Sequence, residues 1–215
     1  MARDGSSIHL AFDSENLVIK NIHAHLIAVA QPLQKTGVKF AVVGGMAVSY
    51  RTIERFTKDV DIAIAVENDV EAEGVIRTVS QSGYFVDAVL EQSAVERLST
   101  VRLVPLGDRE MFVDLLFASS GIESEVVSTA NNVKIAPDIV APVATIPSLI
   151  ALKVLSANWQ RRPQDILDLQ HLINEATPPE IETAYRLLKL ITERGYNRKK
   201  DLQKDLDRYI DQFKD

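Results

Sequence analysis

The chain has 215 residues, 46% of them hydrophobic, a formal charge of −6 and a mean hydropathy near zero, which suits one substantial buried core with room for a smaller second one. With no cysteine there are no disulfides, no thiolate catalysis and no cysteine zinc site, and four scattered histidines leave any metal to oxygen ligands. The acidic balance argues against a surface-wide nucleic-acid platform, no run is long enough to span a bilayer, and residues 1–7 carry no apolar signal segment, so a cytoplasmic protein with no membrane partner is expected.

In chain order, residues from about Asp13 to Leu33 read as a helix with Leu17, Ile22, Leu26 and Val29 on one face, and His23 and His25 read as surface or packing residues. A buried strand follows over 38–43, then Gly44-Gly45 as a turn opening a helix over 45–53, a strand over 59–66 and a helix over 69–82. Strands are expected near 84–90, 100–105 and 111–117, with Leu106 to Glu110 as a hairpin turn. Residues 125–143 are expected to add short strands around a turn at Asn131-Asn132. Beyond Pro147 the pattern is helical: helices open at Pro147, Pro163 and Pro178-Pro179, and a last one runs from Lys199 to Phe213. The fold class is therefore α+β, with a small mixed sheet flanked by helices in residues 1–145, a C-terminal helical lobe in 146–215, and a cleft between them suited to a small ligand.

The chemistry concentrates in Asp59-Val60-Asp61. Strand side chains alternate, so both carboxylates project from one face with Cα atoms roughly 6.6 Å apart, while Val60, Ile62, Ile64 and Val66 share the apolar face. Paired hard oxygen ligands are a platform for Mg²⁺ or Mn²⁺ and for the phosphates such ions bind. Upstream, Gly44 and Gly45 let backbone approach a ligand where a helix begins, a position suited to phosphate. Asp114 lies within Met111-Phe112-Val113-Asp114-Leu115-Leu116-Phe117, and a carboxylate in so apolar a strand faces a cation, a partner or water, because burying it alone is costly. Lys153, within Leu149 to Leu155, either extends to water or points a cation into a cleft. Arg51, Arg55 and Lys58 adjoin the acid pair, whereas Arg161-Arg162 and the run from Arg194 to Lys200 read as solvated helix ends, and Trp159 as a packing residue.

The order Val43-Gly44-Gly45, a spacer over 46–58, then Asp59-Val60-Asp61-Ile62 resembles the signature of the nucleotidyltransferase superfamily of the DNA polymerase beta type. The stretch from Arg55 to Ile62 looks most like the abortive-infection toxins and the minimal nucleotidyltransferases, and the likeness runs from about Val38 to Asp168. The resemblance implies a nucleotidyltransferase core in which Asp114 is the third acid, so that Asp59, Asp61 and Asp114 are catalytic and hold Mg²⁺ or Mn²⁺. It also implies that Gly44, Gly45, Arg55, Lys153 and Asp165 contact the nucleotide, although Asp165 is equally explained by the helix dipole behind Pro163. The implied reaction moves a nucleoside monophosphate from a nucleoside triphosphate to a hydroxyl. The 3′ end of a transfer RNA or a partner protein is the favoured acceptor, and an antitoxin partner is possible in such a family. Two alternatives accompany this reading: a small-molecule, aminoglycoside-like nucleotidyltransferase, and a non-catalytic nucleotide-binding or interaction module of the same fold.

Overall fold

The structure is a computed structural model that describes residues 22–54, 56–92, 96–107, 110–136, 139–158 and 160–214. The first described helix, α1 (22–36), buries Ile22, Leu26, Val29 and Leu33, the spacing at which side chains stack along one helix face. Its expected beginning, with Leu17, lies outside the described residues. His23 and His25 are packing residues, their rings within 2.7 and 2.8 Å of the Tyr50 and Tyr84 hydroxyls respectively.

From there the chain alternates between sheet and helix: β1 (Phe40–Val43), α2 (Gly44–Arg51), β2 (Asp59–Ile64) and α3 (Asp69–Ser80), followed by β3 (Tyr84–Gln92), β4 (Arg97–Pro105) and β5 (Phe112–Leu116). Next come α4 (Glu123–Thr129), β6 (Asn131–Ala136) and β7 (Ile139–Val143). Helices α5 (Ile146–Ser156), α6 (Pro163–Glu175), α7 (Pro178–Glu193) and α8 (Leu202–Phe213) end the chain, and the prolines sit at the starts where fixed φ and a missing N–H cost nothing.

The strands form one mixed sheet in the order β3-β4-β5-β2-β1-β7-β6. β2 runs antiparallel to β1 and parallel to β5, and β4 runs antiparallel to β5. All four residues of β1 are buried, as expected of a central strand covered on both faces. Helices α5 and α6 pack on α2 and on each other, and the buried apolar residues run as one cluster from Ile22 to Tyr209.

Three expectations are corrected. Residues 123–129 form a helix although short strands were expected from 125 onward, because Glu123 accepts hydrogen bonds from the Ser119 and Ser120 N–H groups and so gathers the preceding turn around the helix start. Asn131 and Asn132 then begin β6 instead of making a turn. The last helix also starts later than expected, at Leu202, where the Asp201 side chain accepts from the Lys204 N–H, and Arg198 and Lys199 are held at φ 53° and 61° in the loop before it.

Candidate active site

The alternation expected for β2 is present: Val60, Ile62 and Ile64 are fully buried, and Asp59 and Asp61 are partly exposed on the other face. The parallel register with β5 sets Asp61 directly beside Asp114, and the antiparallel register of β4 sets Arg102 on the far side of Asp114. One row across the sheet thus reads Arg102, Asp114, Asp61, Val43. Gly44 follows Val43 and opens α2 at φ +65°. The Asp61 carboxylate packs so closely against it that a Cβ there would lie 1.8 Å from Asp61 Oδ2. Glycine is required at this position both for its backbone conformation and for the close approach. Gly45 is buried in the first turn of α2, so of the two glycines it is Gly44 that lines the cleft.

Crowded carboxylates resist ionisation together. Burial, then the charge of Asp114, pushes the Asp61 carboxyl up to about 6, with Lys153 acting in the opposite direction. The same two causes raise Asp59 less. Asp114 is instead clamped by Arg102, whose Nε and Nη2 donate to Oδ1 and Oδ2 at 2.8 and 2.7 Å while the guanidinium lies 4.8 Å over the Phe112 ring. This fork holds the Arg102 guanidinium above its ordinary pKa. Sequence reasoning missed Arg102, though a lone arginine within Val101 to Val104 was a signal of the same kind as Lys153.

A cleft of about 470 Å³ opens over this row, lined on the sheet side by Gly44, Asp61, Arg102 and Asp114 and on the helical side by Lys153, Arg162 and Arg198. Leu116, Val126, Leu149 and Leu152 add apolar lining, and Glu123 a further carboxylate. Lys153 is buried, and its Nζ lies 2.7 Å from both Asp165 Oδ1 and Asp168 Oδ2. Those acids stand one turn apart on α6, so both reach one ammonium. Asp165 also accepts from Ser156 Oγ at 2.9 Å and pairs with Arg162 Nε at 3.2 Å. The structure therefore places Asp165 as a partner of Lys153, with Asp168 as an equal partner.

The basic clusters divide. Arg51 donates to the Val143 and Ala144 carbonyls at 2.7 and 2.9 Å, tying α2 to the end of β7, so it is not available to phosphate. Lys58 is exposed and close enough to Asp59 to favour its charge, while Arg55 and Trp159 lie outside the described residues. In the late basic run, Arg194 pairs with Glu125 at 2.6 Å, and Lys200 Nζ donates to the Leu155 and Ala157 carbonyls at the end of α5. Arg198 alone of that run lines the cleft. Among the described residues, no helix is long and apolar enough to cross a membrane.

The family model described as "Nucleotidyl transferase AbiEii toxin, Type IV TA system" matches residues 28–214. No curated protein matches the chain. The fold is similar to that of an antigenic nucleotidyltransferase-like protein from Paracoccidioides brasiliensis, at 19% identity and TM-score 0.50, over 88% of this chain and 92% of that one. A solution structure of the antibiotic-resistance factor ANT(2″)-Ia matches at 14% identity and TM-score 0.46, over 93% and 92% of the two chains. With its Gly-Gly turn, Asp-Val-Asp strand and helical lysine inside the matched span, the chain belongs to the AbiEii nucleotidyltransferase toxin family of type IV toxin–antitoxin systems.

Proposed function

We propose that the chain transfers a nucleoside monophosphate from a nucleoside triphosphate to a hydroxyl acceptor, favouring an RNA 3′ end or a partner protein. The observation that carries this reading is the register of β2 against β5. It sets Asp61 beside Asp114 in a cleft that Lys153, Arg162 and Arg198 also line, with Asp59 on the same face of β2.

The donor set fits Mg²⁺ or Mn²⁺: three carboxylates supply hard oxygens, and a bound cation would offset the burial and the Asp114 charge that raise Asp61 and Asp59. Among the described residues no three acidic or histidine groups already converge as a cage, in keeping with the commitment of both Asp114 oxygens to Arg102. Asp59, Asp61 and Asp114 would hold the metal, which when bound supplies charge neutralisation at the phosphates. The chain's own groups do the rest. Gly44 makes room for the Asp61 carboxylate at the start of α2, whose first N–H groups would meet phosphate, and Lys153, fixed by Asp165 and Asp168, lines the same cleft. Arg102 orients the Asp114 carboxylate in the row beside Asp61, where it can accept the proton of the attacking hydroxyl.

The test is transfer of radiolabel from each of four α-labelled triphosphates, with Mg²⁺ or Mn²⁺, to total RNA, to protein and to small hydroxylated compounds including aminoglycosides. Label in RNA or protein is the expected result. A wild type that binds triphosphate and labels none of these acceptors would be a binding module, and the transfer reading would fall.

A further inference from the structure

β3 ends the strand order, so its outer edge has no strand partner among the described residues. Six of its nine residues are exposed, including Val86, Val89 and Leu90 at 44, 53 and 60%. The register shift between Val86 and Ala88 inserts Asp87 as an extra residue, and Val86 and Val89 consequently share one side of the β3–β4 hairpin while Leu90 faces the acid-lined cleft on the other. Exposed aliphatic side chains on an open edge are what a sheet normally avoids, because such an edge invites another chain.

Between the Val86–Val89 side of the hairpin and α3 lies a groove of about 550 Å³. Its apolar lining comes from Ile76 on α3 and from Val86, Val89, Leu98 and Val101 on the hairpin. Its charged lining is unbalanced. Arg97 is paired with Asp69, Nε to Oδ1 at 2.7 Å, and the Leu98 N–H donates to the same carboxylate, which fastens the start of α3 to β4. Glu73, Glu91 and Glu96 line the groove as well, are exposed, and make no ion pair or hydrogen bond among the described residues. An apolar patch in such a position marks a contact site, and the surrounding charge selects the partner. Nucleic acid is repelled by these carboxylates, and a second copy would bring the same three acids on a chain whose formal charge is already −6. A polypeptide with Lys or Arg set between aliphatic side chains meets both features, and in extended form it can also pair with the open edge of β3.

We infer that this groove docks an extended, basic segment of a partner protein, with the segment's aliphatic side chains on Val86 and Val89 and its cations against Glu73, Glu91 and Glu96. The groove lies on the opposite face of the hairpin from Leu90, Thr100 and Arg102, which line the acid-lined cleft, so docking there does not depend on the transfer chemistry.

Fluorescence anisotropy at near-physiological salt tests this with short labelled peptides that alternate lysine with valine, lysine with serine, or glutamate with valine. The proteins are wild type, Val86→Ser/Val89→Ser, Glu73→Gln/Glu91→Gln and, as a control with the same change of charge on α7 and α8, Glu182→Gln/Asp211→Asn. Wild type and control should bind the lysine–valine peptide and protect amides of β3 and α3 from hydrogen exchange. Affinity should fall by roughly tenfold or more for either of the other peptides and for either groove variant. The substituted side chains are exposed, and should the valine variant fail to fold by circular dichroism, Glu73→Gln/Glu91→Gln decides. No binding by wild type, equal binding of the lysine–serine peptide, or wild-type affinity in the groove variants would overturn the docking site. So would a dimer in sedimentation that the valine variant dissolves, since the edge would then belong to a second copy.

Discussion

Replacing Asp61 with Asn should stabilise the metal-free protein, because the native structure holds this carboxylate where its charge is unwelcome. Its pKa rises from 3.8 to about 6, from burial first and the neighbouring Asp114 second. The folded state therefore binds the proton more tightly than the unfolded state, and stability falls as pH rises between the two values. The cost is absent below about pH 4 and complete above about pH 6. A shift of about 2 units corresponds to about 3 kcal/mol, and because Asp61 keeps part of its surface on the cleft a gain of about 1–3 kcal/mol is expected. For a chain of this size that raises Tm by about 3–9 °C. The assay is thermal and urea unfolding of wild type and Asp61→Asn in EDTA at pH 7.5 and pH 4.5. The gain should be large at the higher pH and mostly gone at the lower. Adding Mg²⁺ should then stabilise wild type more than the variant. An Asp61→Asn protein less stable than wild type at pH 7.5, or a gain equal at both values, would refute the reasoning that a strained acid row waits for a cation.

Gly44→Ala combines a disfavoured φ with a Cβ 1.8 Å from Asp61 Oδ2, so it should lose about 2–4 kcal/mol in urea unfolding, and wild-type stability would contradict the packing. Lys153→Met strands two buried carboxylates and should cost about 3–5 kcal/mol; adding Asp165→Asn should recover part of it, and simple additivity of the two changes would deny the coupling. Arg102→Gln releases Asp114 from its fork, so Mg²⁺ titrated calorimetrically without nucleotide should bind more tightly than in wild type, and an unchanged or weaker affinity would show that the fork does not compete with metal.

Local rules made part of this molecule legible in one dimension. Period-two alternation set Asp59 and Asp61 on one face of a strand, and prolines with helical spacing marked the starts of α5, α6 and α7, because these properties depend on residues next to each other in the chain. Asp114 drew notice as an acid amid apolar residues, and Lys153 as a cation in the same position. Neighbours alone mislead at 125–132, where a glutamate gathering a turn outweighs strand propensity. Partner choice was decided only by the tertiary structure. That β2 lies parallel to β5 with Asp61 against Asp114, that Arg102 answers Asp114 from β4, and that Lys153 is claimed by both Asp165 and Asp168 follow from strand register and helix packing. The late basic run separated into an ion pair at Arg194, a helix cap at Lys200 and a cleft residue at Arg198 for the same reason. A charged side chain's role is set by what the fold brings within about 3 Å of it, and nothing in the order of residues along the chain specifies that distance.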